Sequence, residues 1–175
     1  MTSIAGFFDM KRAGRVCFMG LGNPDYGDDG FGVRLAEELL KAGVRDVIVA
    51  GTTPERHLAA IAEGDFDDLV FLDAVECGAE AGSVVVADSR EIEARFPQIS
   101  THKISVAVLA EVIESNGKTR VWLLGVQPQS LQSGQWLSPA VQRTIKLLKQ
   151  LLLQGGPQPA RDSAKLAPNA GARTC

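Results

Sequence analysis

The sequence predicts an α/β fold in which helices cover both faces of a mostly parallel, five-stranded sheet. Short segments that are apolar throughout recur along the chain, which is typical of strands buried on both faces. Stretches of helical length and periodicity separate most of these segments, and this alternation is characteristic of parallel sheets. The length of 175 residues is that of a single domain.

The first part of the chain shows the alternation clearly. The first strand is Val16–Gly20, and an amphipathic helix over Gly30–Lys41 follows it. Gly43 ends this helix, and Val47–Ala50 forms the second strand. The short helix after that, Pro54–Ala62, begins with a proline, which suits the first helical turn.

The middle of the chain contains a link that is too short for a helical crossover. The third strand, Leu69–Leu72, and the valine-rich fourth strand, Ser83–Ala87, are separated by about ten residues that include glycines. We therefore expect the fourth strand to be antiparallel, either paired locally or at an edge of the sheet.

The last part of the chain returns to helix, strand and helix. A helix is predicted over Ser105–Glu114 and the fifth strand over Val121–Leu124. The final helix spans Ser138–Leu153, with Ser138 as its N-cap and Pro139 in its first position.

These elements define one domain with an extension at each end. Residues 1–14 form an N-terminal extension, 15–153 the single α/β domain, and 154–175 a tail that we expect to be disordered because it has little apolar content.

Composition and charge exclude several classes of protein. The net charge of −3, from 18 basic and 21 acidic residues, argues against a nucleic-acid partner, which favours a basic face. No apolar run is long enough to span a membrane, and the first residues lack the pattern of a signal peptide. We expect a cytoplasmic monomer. The three cysteines, Cys17, Cys77 and Cys175, give no disulfide framework.

The loop after the first strand is the most informative stretch of the sequence. Residues 20–32 hold five glycines and three aspartates, Asp25, Asp28 and Asp29. The glycine spacing does not match a dinucleotide fingerprint or a phosphate-binding loop. The loop is therefore suited to presenting carboxylates.

Two further polar residues are candidates for the same site. Asp73 comes directly after the third strand, and His102 precedes the helix that begins near Ser105. Sites in open parallel sheets lie at the carboxyl ends of the strands, so Asp29, Asp73 and His102 can meet there. Two oxygen ligands and one imidazole can bind a divalent transition metal and leave coordination positions open.

Each of these residues also has a simpler interpretation. Asp29 can cap the following helix, and Asp28 is better explained as a turn or capping residue. The position of Asp73 favours a functional interpretation, because a carboxylate after four apolar residues is costly to bury without a partner. His102 alone can be a capping or surface histidine, and Cys77 is a weaker candidate as a soft metal ligand.

Together, these motifs resemble the hydrogenase maturation endopeptidases over about Val16 to Leu148. The matching segments are Gly20-Leu21-Gly22-Asn23, Asp28-Asp29-Gly30-x-Gly32, Leu72-Asp73-Ala74-Val75, Thr101-His102, Leu124-Gly125-Val126-Gln127-Pro128 and Leu137-Ser138-Pro139-x-Val141.

The resemblance implies a three-layer α/β/α fold and a defined reaction. Such an enzyme removes the C-terminal extension of a nickel–iron hydrogenase large-subunit precursor. The family's metal-binding positions fall on Asp29, Asp73 and His102, which would serve both catalysis and metal binding. The nickel arrives with the precursor, and we expect the free enzyme to hold it weakly.

Two other functions stay open. The segment Gly20-Leu21-Gly22-Asn23-Pro24 also resembles the opening of peptidyl-tRNA hydrolases, but the histidine–asparagine pair expected shortly afterwards is missing. A non-catalytic, metal-sensing maturation chaperone of the same fold is the other alternative, because no evident nucleophile is present.

Overall fold

A five-stranded sheet forms the centre of the computed structural model, which describes Phe7 and residues 14–96, 105–115 and 117–155. The strands are β1 (Val16–Leu21), β2 (Val47–Gly51), β3 (Asp68–Ala74), β4 (Val84–Asp88) and β5 (Arg120–Val126). The helices are α1 (Phe31–Lys41), α2 (Leu58–Glu63), α3 (Ser89–Arg95), α4 (Val106–Glu114) and α5 (Pro139–Gly155), with short 3-10 helices at Gly27–Gly30 and Pro54–His57. Within these described ranges no helix is both long and apolar enough to cross a membrane.

The strand order in the sheet is β2-β1-β3-β5-β4. The pairs β1–β2, β1–β3 and β3–β5 are parallel, and β4 is antiparallel to β5 at the edge. This confirms the prediction of a mostly parallel sheet with one antiparallel strand. The short link between β3 and β4 explains the exception, since it contains no helix that could return the chain to the opposite edge.

Helices pack on both faces of the sheet. Alternation along β3 divides its side chains, so that Val70 and Leu72 join the core under α1 and α5, while Leu69 and Phe71 join the core under α2, α3 and α4. The predicted three-layer α/β/α fold is therefore confirmed. Cys17 is buried in the second of these cores.

Strand β1 and helix α1 approach each other very closely. A Cβ atom at Gly32 would collide with the backbone oxygens of Leu72 and Leu21. Gly22 has a φ of +104°, a conformation that side chains rarely adopt. The glycines of the loop thus bring the start of α1 directly against β1 and β3.

Some elements differ from the sequence-based prediction. β3 runs to Ala74, so that Asp73 belongs to the strand itself. Helix α3 was not predicted, although the Asp88 side chain accepts a hydrogen bond from the Glu91 N–H at 2.9 Å. An aspartate followed by a glutamate three residues later is a known helix-start signal, and it could have revealed α3.

The two chain ends add detail to the predicted extensions. Phe7 is buried, and its ring meets Trp122 edge-to-face with ring centroids 5.9 Å apart. Helix α5 extends to Gly155, two residues beyond its predicted end at Leu153. Residues 156–175, which make up most of the predicted tail, lie outside the described residues.

Candidate active site

Asp29 lies in the 3-10 turn that connects β1 to α1. It is 4% exposed, and its Oδ2 atom accepts a hydrogen bond from the Asn23 N–H at 2.7 Å. The N-cap position of α1 is Gly30, and no side chain caps that helix. The carboxylate of Asp29 therefore closes its own loop and does not cap α1.

Asp73 is the second-last residue of β3, at the carboxyl end of the sheet. It is 3% exposed, and its Oδ1 atom accepts a hydrogen bond from the Ala74 N–H at 2.9 Å. Its Cα atom lies opposite Gly125 of β5, which presents no side chain. Because side chains alternate along a strand, Asp73 points to the face that α2, α3 and α4 cover.

The two carboxyl groups interact. Burial raises the pKa of Asp73 well above its usual value, and the negative charge of Asp29 raises it further, whereas the Ala74 N–H acts in the opposite direction. A carboxyl whose pKa is shifted by burial and by a neighbouring carboxylate is a candidate for a functional group, because such shifts cluster at functional sites. The structure thus brings together two of the three predicted site residues.

His102 lies outside the described residues, so its place in the site stays a prediction. The nearest described element is α4. Its last residue, Glu114, accepts a hydrogen bond from the Val121 N–H at 2.8 Å, at the start of β5. The other end of α4, at Ser105, is therefore directed toward the edge that holds Asp73. Among the described residues, no three His, Cys, Asp or Glu side chains are grouped so as to hold a metal ion.

Asp28 has a structural role that is larger than the predicted turn or cap. One of its carboxylate oxygens accepts hydrogen bonds from the N–H groups of Gln129 and Ser130, at 2.7 and 3.3 Å. The other accepts from the Ser138 N–H at 2.6 Å. Three backbone donors occupy this buried side chain, which fastens the segment before α5 to the turn that carries Asp29.

Gln127 is a site-shaping residue to which the sequence reasoning gave no role. Its Oε1 atom accepts hydrogen bonds from the N–H groups of Cys77 and Ala79, at 2.8 and 3.3 Å. These bonds fix the loop that follows Asp73. Its position directly after β5, at the carboxyl end of the sheet, is the signal that could have identified it.

Comparisons with solved structures support the fold. The NiFe hydrogenase maturation protease HycI from Thermococcus kodakarensis KOD1 superposes with a TM-score of 0.76 and 29% identity, over 85% of this chain and 97% of that one. The hydrogenase maturating endopeptidase HybD from Escherichia coli gives a TM-score of 0.67 and 27% identity, over 80% and 91% of the two chains.

Sequence comparison identifies the family. The hydrogenase expression/formation protein HupD of Bradyrhizobium diazoefficiens is 31% identical over 166 residues, which cover 87% of this chain and 85% of that protein. The hydrogenase 3 maturation protease of Escherichia coli K12 is 33% identical over 110 residues, or 62% and 69% of the two chains.

A model of the hydrogenase maturation protease family matches residues 33–155. The chain belongs to this family, and it is therefore a protease that acts in hydrogenase maturation.

Proposed function

We propose that this protein removes the C-terminal extension of a nickel–iron hydrogenase large-subunit precursor after nickel has been inserted. Family membership supports the class of reaction. The observation that carries the proposal is the interaction of two buried carboxyl groups, Asp29 and Asp73, at the carboxyl edge of the sheet.

In this proposal the nickel belongs to the substrate. Asp29, Asp73 and His102 would hold the nickel that the precursor carries, and this contact would place one peptide bond in a fixed position. Fixing the reacting groups in this way lowers the entropic part of the barrier. A water activated by the metal or by Asp73 would then attack the carbonyl carbon.

Recognition through the metal would also make the enzyme a checkpoint. A precursor without nickel lacks the group that the carboxylates bind, and its affinity would be lower for that reason. Discrimination of this kind depends on leaving charged groups unpaired in the wrong complex. The negative charge of Asp29 disfavours ionisation of Asp73, and a bound cation would offset this repulsion.

The direct test is to incubate the purified protein with nickel-loaded and nickel-free precursor and to measure the mass of the large subunit. We expect a loss of mass at the C-terminus of the nickel-loaded form only. Asp29→Asn, Asp73→Asn and His102→Ala should each abolish it. Glu111→Gln, which changes an exposed carboxylate on α4, is the control and should process normally.

Other results would favour the alternatives. Full processing by the three site variants would overturn the assignment of the site. Release of tRNA from peptidyl-tRNA would favour the hydrolase alternative. Binding of the nickel-loaded precursor without any loss of mass would favour the non-catalytic chaperone.

A further inference from the structure

The loop before α5 presents a tryptophan to solvent. Trp136 is 88% exposed, the largest value among the large apolar side chains that the structure describes, whereas Trp122 is 9% exposed. Tryptophan is highly buried on average in folded proteins. It is also enriched among the residues that dominate binding energy in protein interfaces.

The loop that carries Trp136 is firmly held. Besides the three N–H groups bound by Asp28, the Asp28 N–H donates to the Ser130 oxygen at 2.9 Å, and the Gly134 N–H donates to the Asp25 oxygen at 2.8 Å. Because these bonds fix the backbone of the loop, binding through it would require little further ordering of the main chain.

The same contacts place the loop beside the candidate active site. Asp28 is the neighbour of Asp29 in the chain. Gly27 lies so close to the loop that a Cβ atom there would be 3.6 Å from the Cβ of Gln135. Tyr26, in the turn itself, is 45% exposed. Two exposed aromatic side chains thus belong to adjoining segments at the carboxyl edge of the sheet.

The composition of the loop indicates what kind of partner it fits. Residues 129–138 read Gln-Ser-Leu-Gln-Ser-Gly-Gln-Trp-Leu-Ser and contain no charged side chain. Nucleic acids and anionic membranes are recognised through basic residues, which this segment lacks. Serine, glycine and amide side chains around an aromatic anchor are typical of antibody loops that bind folded proteins.

We propose that residues 129–137 form a docking loop for the polypeptide substrate, with Trp136 as the anchor that enters an apolar pocket on the precursor. This inference rests on the proposed function and deepens it. The loop would bind protein surface next to the cleaved segment, independently of the metal contact made by the carboxylates.

Steady-state kinetics with nickel-loaded precursor provide the first test. Trp136→Ala should raise KM about tenfold or more, the usual scale for a hot-spot residue, while kcat changes less than twofold. Trp136→Phe should restore most of the affinity. Val112→Ala is the control, because Val112 is also exposed. It lies near the C-terminal end of α4, beside the amino end of β5 and away from the carboxyl ends of the parallel strands.

A binding experiment provides the second test and does not require cleavage. Because the chain has only two tryptophans, 5-fluorotryptophan labelling gives two ¹⁹F signals, and Trp136→Phe assigns them. Unlabelled precursor should shift the Trp136 signal and leave the Trp122 signal unchanged, since Trp122 is buried and donates its Nε1–H to Asp68 at 2.8 Å.

The outcomes separate the two proposals. Cleavage by the wild type with an unmoved Trp136 signal, or an unchanged KM in Trp136→Ala, would overturn the docking loop and leave the proposed function standing. A shifted signal without any cleavage would support docking and contradict the proposed function. A Trp136 signal that depends on enzyme concentration in the absence of precursor would indicate self-association and would also overturn the docking loop.

Discussion

Asp73, which we propose as a site residue, carries a cost to the fold. Its carboxyl group is buried, the Ala74 N–H donates to it, and Asp29 repels its charged form. Asp73→Asn keeps an oxygen that can accept from Ala74 and removes the charge. We expect this variant to lose processing activity and to gain about 0.5–2 kcal/mol in free energy of unfolding at neutral pH, a common range for stabilising substitutions.

The pH dependence of that gain gives a second measurement. A carboxyl whose pKa is raised by folding stabilises the protein below its ordinary pKa, and this contribution is lost as the pH rises through the raised value. The difference in urea midpoint between Asp73→Asn and the wild type should therefore be small in acid and grow as the pH rises. A constant difference would contradict the raised pKa of Asp73.

Neighbouring aspartates show how far the sequence predicts individual roles. The loop composition and the position after an apolar strand were sufficient to select Asp29 and Asp73 as candidates. The role of Asp28 was not predictable in the same way, because its partners Gln129 and Ser138 are more than 100 residues away in the chain. Only the fold shows which of two adjacent, identical residues holds a distant loop.

At the scale of elements, the contact between α1 and the sheet depends on Gly32. Gly32→Ala should lower the free energy of unfolding by more than about 3 kcal/mol, because its Cβ would meet backbone oxygens that two strands hold in place. Gly43→Ala is the matched control. Gly43 has a φ of +88° and no atom near the position of the added Cβ. Gly43→Ala should therefore lower the free energy of unfolding by only about 1–2 kcal/mol, from backbone strain. If chemical denaturation gave the same decrease in free energy of unfolding for both variants, it would contradict this account.

An ion pair joins α1 to α5. Glu38 accepts hydrogen bonds from Lys149 at 2.8 Å and from Lys41 at 3.0 Å. These bonds, that of Lys149 first, lower the pKa of Glu38 to about 2. All three side chains are about one-third exposed or more, so solvent weakens the attraction.

Lys149→Met should therefore cost less than about 1 kcal/mol at pH 7. Because a lowered carboxyl pKa stabilises the protein above its ordinary value, the contribution should persist at pH 5 and disappear as the pH falls through about 2. Urea unfolding at pH 7, 5 and 2 measures this. Lys146→Met, at an exposed neighbouring lysine, should leave the pH dependence unchanged.

The elements themselves were largely predictable, and the exceptions have physical causes. Apolar runs identified all five strands, and the short link identified β4 as antiparallel. Helix α3 was missed because its seven residues show only one buried side chain, Ile92, so its apolar periodicity is weak. Its start signal lies in the local sequence around Asp88.

For the whole molecule, the parallel sheet accounts for the site, since it collects at one edge the ends of segments that are far apart in sequence. The proposed site of Asp29, Asp73 and His102 would leave much of a metal's coordination shell to the substrate. We therefore predict that the free protein binds Ni²⁺ more weakly than about 1 μM, measured by isothermal titration calorimetry. Nanomolar affinity would contradict a metal that is recognised together with the precursor.

The burial of Phe7 has a practical consequence for anyone who shortens this protein. Its ring packs on Trp122 under α1 and α5, so deleting the first ten residues would leave an empty space in the interior. Loss of a buried phenylalanine ring typically costs about 3–5 kcal/mol, which is a large share of the stability of a domain of this size. A shortened form intended for crystallisation should therefore keep Phe7 and be trimmed only at the other end.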